Sequence, residues 1–195
     1  MPGLFRRLMG PAVLIAALAA IFVVASAQTT AAAERYTAAA INMNRGAAGS
    51  IEIVVDRWST DKERDKMMSV LMDKGADKLL DVLQDMPRIG YFRAPGSLGW
   101  DIHFARKVPL PDGGERLVLV TDRRISFWEA ANQPRSIDYP FTVIELRLNR
   151  EGEGEGKMSL ATKIIPDKEN NIITLENYET QPVMLNSVKR ERASN

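Results

Sequence analysis

His103 is the chain's one histidine, and that alone removes most catalytic constellations. A multi-histidine metal centre is excluded, and a zinc ion held by His103 would need three acidic companions. Between Ile102 and Phe104 in a strand-like run, His103 is expected opposite their face, either solvent-side or in a cross-strand pair. The most suggestive polar group is Asp122, Arg123 and Arg124, with Glu129 close behind. A carboxylate and two guanidiniums around a tight turn could grip an anionic ligand through bidentate hydrogen bonds. The same residues suit a plain hairpin, with Asp122 capping the turn and an arginine paired to Glu129 across the strands. Trp100 and Trp128, large aromatics in strand-like runs, complete the candidate ligand- or partner-binding residues.

Other patterns fall short of a site. Ser97 superficially matches a nucleophile elbow, but that turn needs glycine two residues earlier, where Pro95 stands, and a helix after it. Glu151, Glu153 and Glu155 offer oxygens to calcium without the remaining ligands of a known calcium loop, so a solvated tip explains them better. Asp101 or Asp122 with Glu129 could cleave glycosidic bonds only if two carboxyls faced each other across a cleft. The absence of cysteine excludes thiol nucleophiles, redox dithiols and thiolate-held metals. No catalytic set, no metal set and no need for a cofactor emerges.

The elements that would position these residues are mostly strands. The run Leu117–Leu148 is the richest in strand-favouring residues and is expected at the centre of an antiparallel sheet. Before it, Tyr36–Asn44 and Ser50–Trp58 read as two strands around a glycine-containing turn. Thr60 followed by Glu63 is a capping box, opening a helix whose stripe includes Met67, Val70 and Leu71. Gly75 divides it from a second helical run, Ala76–Met86, which Pro87 stops. The methionines at 67, 68 and 72 are core filler on that helix, or a partner-binding face if the helix is exposed. Strands resume from Gly90, with Trp100, Ile102 and Phe104 expected on one face. Pro111-Asp112-Gly113-Gly114 makes a hairpin turn. Phe141–Asn149, Met158–Ile165, Ile172–Tyr178 and Val183–Val188 follow, and the Glu/Gly stretch 150–157 reads as an exposed tip. The fold expected is α+β: an antiparallel meander of about eight strands, curled into a partial barrel or sandwich, with a helical insertion of two short helices after the second strand.

The first 27 residues pair Arg6 and Arg7 with an uncharged apolar run from Leu8 to Ala27, ending in Ala25-Ser26-Ala27. That pattern predicts a signal peptide, or an N-terminal membrane anchor if it is retained, because 20 residues suffice to span a bilayer. Residues 28–35 form a tether, 36–188 a single α+β domain and 189–195 a charged tail. Without Arg6 and Arg7 the 26 basic residues fall to 24, against 25 acidic, which leaves no basic face for nucleic acid. Hydrophobic residues at 45% and charged at 26% match an ordinary globular domain.

Four phrases, RWSTDKERDKM at 57–67, PRIGYFR at 87–93, LVTDRRISFWE at 119–129 and YPFTVIELRLN at 139–149, resemble a family of exported bacterial proteins of unassigned function. The resemblance covers residues 36 to 188. It implies export and a single domain, and it transfers no catalytic residue, cofactor or substrate. The expectation is a non-catalytic extracytoplasmic domain, periplasmic or secreted, that binds other protein subunits, as an extrinsic subunit of a membrane complex. The alternative is a carrier of a small apolar ligand or lipid in a sheet-enclosed cavity lined by Trp100, Phe104 and Phe127.

Overall fold

The computed structural model describes residues 32–43, 46–123, 131–167, 169, 172–178 and 181–191. The strands are β1 (Glu34–Asn42), β2 (Ala47–Val55), β3 (Gly90–Arg93), β4 (Trp100–Ile102), β5 (Phe104–Pro109), β6 (Glu115–Asp122), β7 (Phe141–Leu148), β8 (Glu153–Asp167), β9 (Ile172–Asn177) and β10 (Val183–Glu191). Two helices, α1 (Asp61–Lys74) and α2 (Ala76–Asp85), stand between β2 and β3, and a short 3-10 helix, Pro134–Asp138, precedes β7. The fold is α+β, built on an antiparallel sheet.

The ten strands form one sheet in the order β4-β3-β2-β1-β10-β8-β7-β6-β5, with β9 on β8. Only His103 separates β4 from β5, so the two ends of that path belong to one run of chain. Its first half pairs with β3 and its second half with β6, which curls the sheet into a nearly closed barrel. β9 and β10 lie in turn along one edge of β8, since Thr162 pairs with Phe141 of β7 on one side and Asn177 of β9 on the other. Two strand pairs thus share a stave, and ten strands make eight staves. At the seam, Ser59 N donates to Ala105 O at 2.8 Å and Ala105 N donates back to Ser59 Oγ at 3.0 Å.

An eight-stave barrel is just wide enough for side chains to fill. Tyr36, Ile53, Ile102, Leu117, Leu146 and Leu185 fill it, each at most 1% exposed. The helices lie outside the barrel. Met67, Leu71, Leu79 and Leu83 pack on Val120, Phe141, Val143 and Ile164, the outward face of β6, β7 and β8. That is why β7 alternates so little: six of its eight residues are buried, because one face meets the barrel core and the other meets the helices.

Gly75 separates the helices at φ 88°, a left-handed angle that only glycine adopts cheaply. The capping box forms as the spacing demands. Glu63 N donates to Thr60 Oγ1 at 3.2 Å and Thr60 N donates to Glu63 Oε2 at 2.7 Å. Arg57 grips the same carboxylate at 2.8 and 3.0 Å. These bonds, Arg57's first and Thr60's after, carry Glu63 from its ordinary 4.5 to about 2 despite its partial burial. A folded value below the unfolded one stabilises the fold above about pH 4.5 and loses that effect as pH falls towards 2. Thr60→Ala is therefore expected to cost about 1 kcal/mol, and Glu63→Gln to flatten stability across that acid window. Denaturation midpoints at pH 7, 4 and 2.5 check both.

Two expectations fail against the structure. Trp100, Ile102 and Phe104 do not share a face, because the chain breaks at His103: Ile102 is inside the barrel and Phe104 joins the outer cluster under the helices. The stretch 150–157 is not a tip beyond Gly152. Gly154 and Gly156 pair with Leu148 and Leu146 of β7 and with Val188 and Leu185 of β10. Both glycines face inward, where neighbouring strands come too close for a Cβ, while Glu153 and Glu155 face out.

Candidate functional site

The structure scatters the polar residues that sequence singles out. Asp122 ends β6, where Gln84 Nε2 of α2 donates to its Oδ2 at 3.3 Å. Arg123 turns to the 3-10 helix, donating from Nε to Tyr139 O at 3.1 Å and from Nη2 to Ser136 O at 2.7 Å. It therefore clamps a loop to the sheet. Trp100 stacks on Phe92, ring centroids 5.3 Å apart, as a lid on the barrel core. Arg124, Phe127, Trp128 and Glu129 lie outside the described residues. His103 is neither solvent-side nor cross-strand. Its Nδ1 donates to Met86 O at 2.9 Å, satisfying a carbonyl at the end of α2. Asp101 is engaged by Arg88 at 3.1 Å. Among the described residues no group of three His, Asp or Glu side chains is placed to hold a metal ion.

One polar constellation that sequence reasoning missed lies at the end of the barrel. Glu34, Lys107, Glu115 and Arg190 each continue an inward-facing row, beyond Tyr36, Ala105, Leu117 and Val188 respectively. Lys107 Nζ donates to both oxygens of Glu34 at 2.8 and 2.9 Å and lies 3.6 Å from Glu115. Arg190 approaches the same two carboxylates. Tyr36 Oη and Trp58 Nε1 also donate to Glu34, at 2.7 and 2.8 Å. Two carboxylates and two cations thus close the barrel with their charges balanced. Burial alone would raise the Glu34 carboxyl, but hydrogen bonds from Lys107, Tyr36 and Trp58 outweigh it and hold it below its usual range. A carboxyl held ionised donates no proton near neutrality, so Glu34 lacks the raised pKa that a glycosidase acid needs. Beyond this layer opens a recess of about 390 Å³ lined by Lys107, Glu115, Arg150 and Arg190.

The second concavity is apolar and lies outside the barrel. Between α1, the outward face of β5 to β8 and the arm of β9 runs a groove of about 280 Å³. Met67, Met68 and Leu71 come from α1, and Phe104, Val118, Val120 and Val143 from the sheet. Ile164, Ile173 and Leu175 form the arm's wall. Ile173 and Leu175 are 40% and 43% exposed, so the arm offers apolar surface to water. Arg64 and Arg116 are the groove's only charged residues among those described. The sequence signal was there in part: outward-facing Val118 and Val120 on β6 alternate with inward Leu117 and Leu119, a strand apolar on both faces. The inward Met67 confirms the helix stripe as core, and the half-buried Met68 beside it becomes groove wall.

No family model, no curated protein and no solved structure matches the chain.

Proposed function

We propose that the chain is a non-catalytic, exported binding domain that holds a small apolar ligand in the groove beside α1. The observation that carries this reading is the groove itself. Protein interiors pack to the density of organic crystals; the barrel's inward rows are buried side chains, while the apolar groove between helix, sheet and arm stands open. Ligand sites are apolar concavities with few convergent polar groups, from about 300 Å³ upward, and this groove is at the small end. The filled barrel argues for this external site over one enclosed by the sheet. Export rests on the pattern of residues 1–27. Among the described residues no helix is long and apolar enough to cross a membrane.

A titration with the neutral fluorophore N-phenyl-1-naphthylamine tests the groove. We expect saturable binding at one site per chain, weakened at least tenfold by Ile173→Arg, whose side chain is exposed enough for the fold to tolerate the charge. Equal binding by the variant, with an unchanged circular dichroism spectrum, would remove the groove as the site.

A second reading, docking of another protein subunit on a membrane complex, draws support from β9. Its far edge has no strand partner among the described residues, and its sequence, IITLEN, lacks the lysines and prolines that usually guard an open edge. An extended segment of a partner could add there as a further strand. Mild-detergent purification from the native host, with Thr174→Pro as the edge-blocking control, tests this; a lone monomer from both would end it.

A further inference from the structure

The lining of the groove goes further than "apolar" and points to a ligand with one charged end. Among the described residues its lining holds no acidic side chain, and its two charged residues are both arginines, Arg64 and Arg116. The two differ in how far they are neutralised. Arg64 donates from Nε and Nη2 to Asp65 at 2.8 and 2.7 Å, and its Nη1 lies 3.3 Å from Asp61. Arg116 Nε lies 2.8 Å from a single carboxylate, Glu145. That carboxylate is shared with Lys157 at 3.4 Å, so the trio carries one positive charge in surplus. The side chain of Arg116 is 51% exposed.

The apolar part of the lining has a direction. From Val118 on β6 it crosses Val143 on β7 and Ile164 on β8 to Ile173 on β9. Those strands are successive neighbours, but the residues are stepped along them, since Val118 faces Glu145 and Ile164 faces Leu175. A groove of about 280 Å³, small for a ligand site, suits a single unbranched chain rather than a bulky ligand. Its head would then lie at Arg116, where two N–H donors in a fixed fork match a carboxylate.

Resting on the groove being the binding site, we propose that its ligand is a single-chain anionic amphiphile, a medium-chain fatty acid, with its tail across β6 to β9 and its carboxylate on Arg116.

Displacement of N-phenyl-1-naphthylamine by decanoate and by decanol at pH 8 separates this assignment from the groove reading. Decanoate is expected to compete at least tenfold more tightly than decanol. Arg116→Gln, a surface substitution that leaves Glu145 paired with Lys157, should bring decanoate down to the level of decanol and leave decanol unchanged. Equal competition by the two in the unsubstituted chain, or decanoate binding that Arg116→Gln does not weaken, overturns the carboxylate site while the groove stands. Failure of both to displace the fluorophore overturns the carboxylate site, while the groove itself is judged by Ile173→Arg in the direct titration.

Discussion

Replacing Lys107 with methionine is expected to cost about 2–3 kcal/mol at pH 7, below the 3–5 kcal/mol typical of breaking a fully buried pair. Lys107 and Glu34 are 31% and 27% exposed, so water screens part of what is lost. Methionine keeps the length and apolar stem of lysine, including its place over Trp58, where the ammonium now sits 4.6 Å from the ring centroid. What disappears is the cation between Glu34 and Glu115, which leaves two carboxylates facing each other beside Arg190 alone. The pH dependence identifies the cause. In the native chain Glu34 is held below its ordinary 4.5, so its contribution is present above that pH and declines as acid protonates it. Without Lys107, burial becomes the dominant influence on Glu34, its folded value rises, and protonation relieves the fold. The gap between the two chains should therefore narrow as pH falls from 7 to 4, read as urea midpoints at each pH. A constant gap would mean that packing, not charge, is what Lys107 contributes.

The barrel's inner wall was legible where period-two alternation shows, in β1 and β2, and the capping box of α1 was readable to the residue. The charge layer was less so. Glu34, Lys107, Glu115 and Arg190 obey the same alternation carried one step past the last apolar residue of each row, but a charged side chain at a strand end usually faces water. Only closure of the sheet turns four such ends towards one another, and closure depends on pairings between residues as distant as Thr37 and Lys189. The groove was hidden for a similar reason. Its walls come from α1, β5 to β8 and β9, and one sequence does not say which flank of a helix leaves a strand uncovered. The break at His103 was invisible because Trp-Asp-Ile-His-Phe reads as unbroken alternation. The bond from His103 to Met86 O shows what interrupts it: the end of α2 takes the imidazole, and the strand passes from β3 to β6 at that residue.

The charge layer and the groove differ in what they leave unmet. At the barrel end each charge has an opposite partner, so the layer reads as a lock on the fold. Along the groove the apolar walls stand open among the described residues, and Arg116 with Lys157 outweighs Glu145 by one positive charge, which is the proposed capacity for a ligand. That asymmetry favours a binding role for the outside of the sheet and a structural role for its inside.

The tightest constraint on the barrel should be Gly154. A Cβ there would fall within 1.9 Å of Arg147 O and 2.9 Å of its carbonyl carbon, which are backbone atoms of the adjoining strand. No rotamer change relieves that contact, so β7 and β8 must part, and the pairs Arg147–Glu155 and Leu148–Gly154 are lost with them. Gly154→Ala is expected to cost about 3 kcal/mol or more, at the upper end of overpacking penalties. That is a large share of the 5–15 kcal/mol by which domains are usually stable. Gly49→Ala on β2 is the matched control, because nothing lies within 4 Å of its added methyl. There the substitution should be neutral or stabilising by about 0.5 kcal/mol, since alanine has less unfolded-state freedom to lose. Urea denaturation of both variants discriminates sharply: the glycine in the Glu/Gly run is the one the fold cannot spare. Equal midpoints for the two would mean that β8 does not pass through the barrel wall at Gly154, and the closed arrangement of β7, β8 and β10 would have to be redrawn.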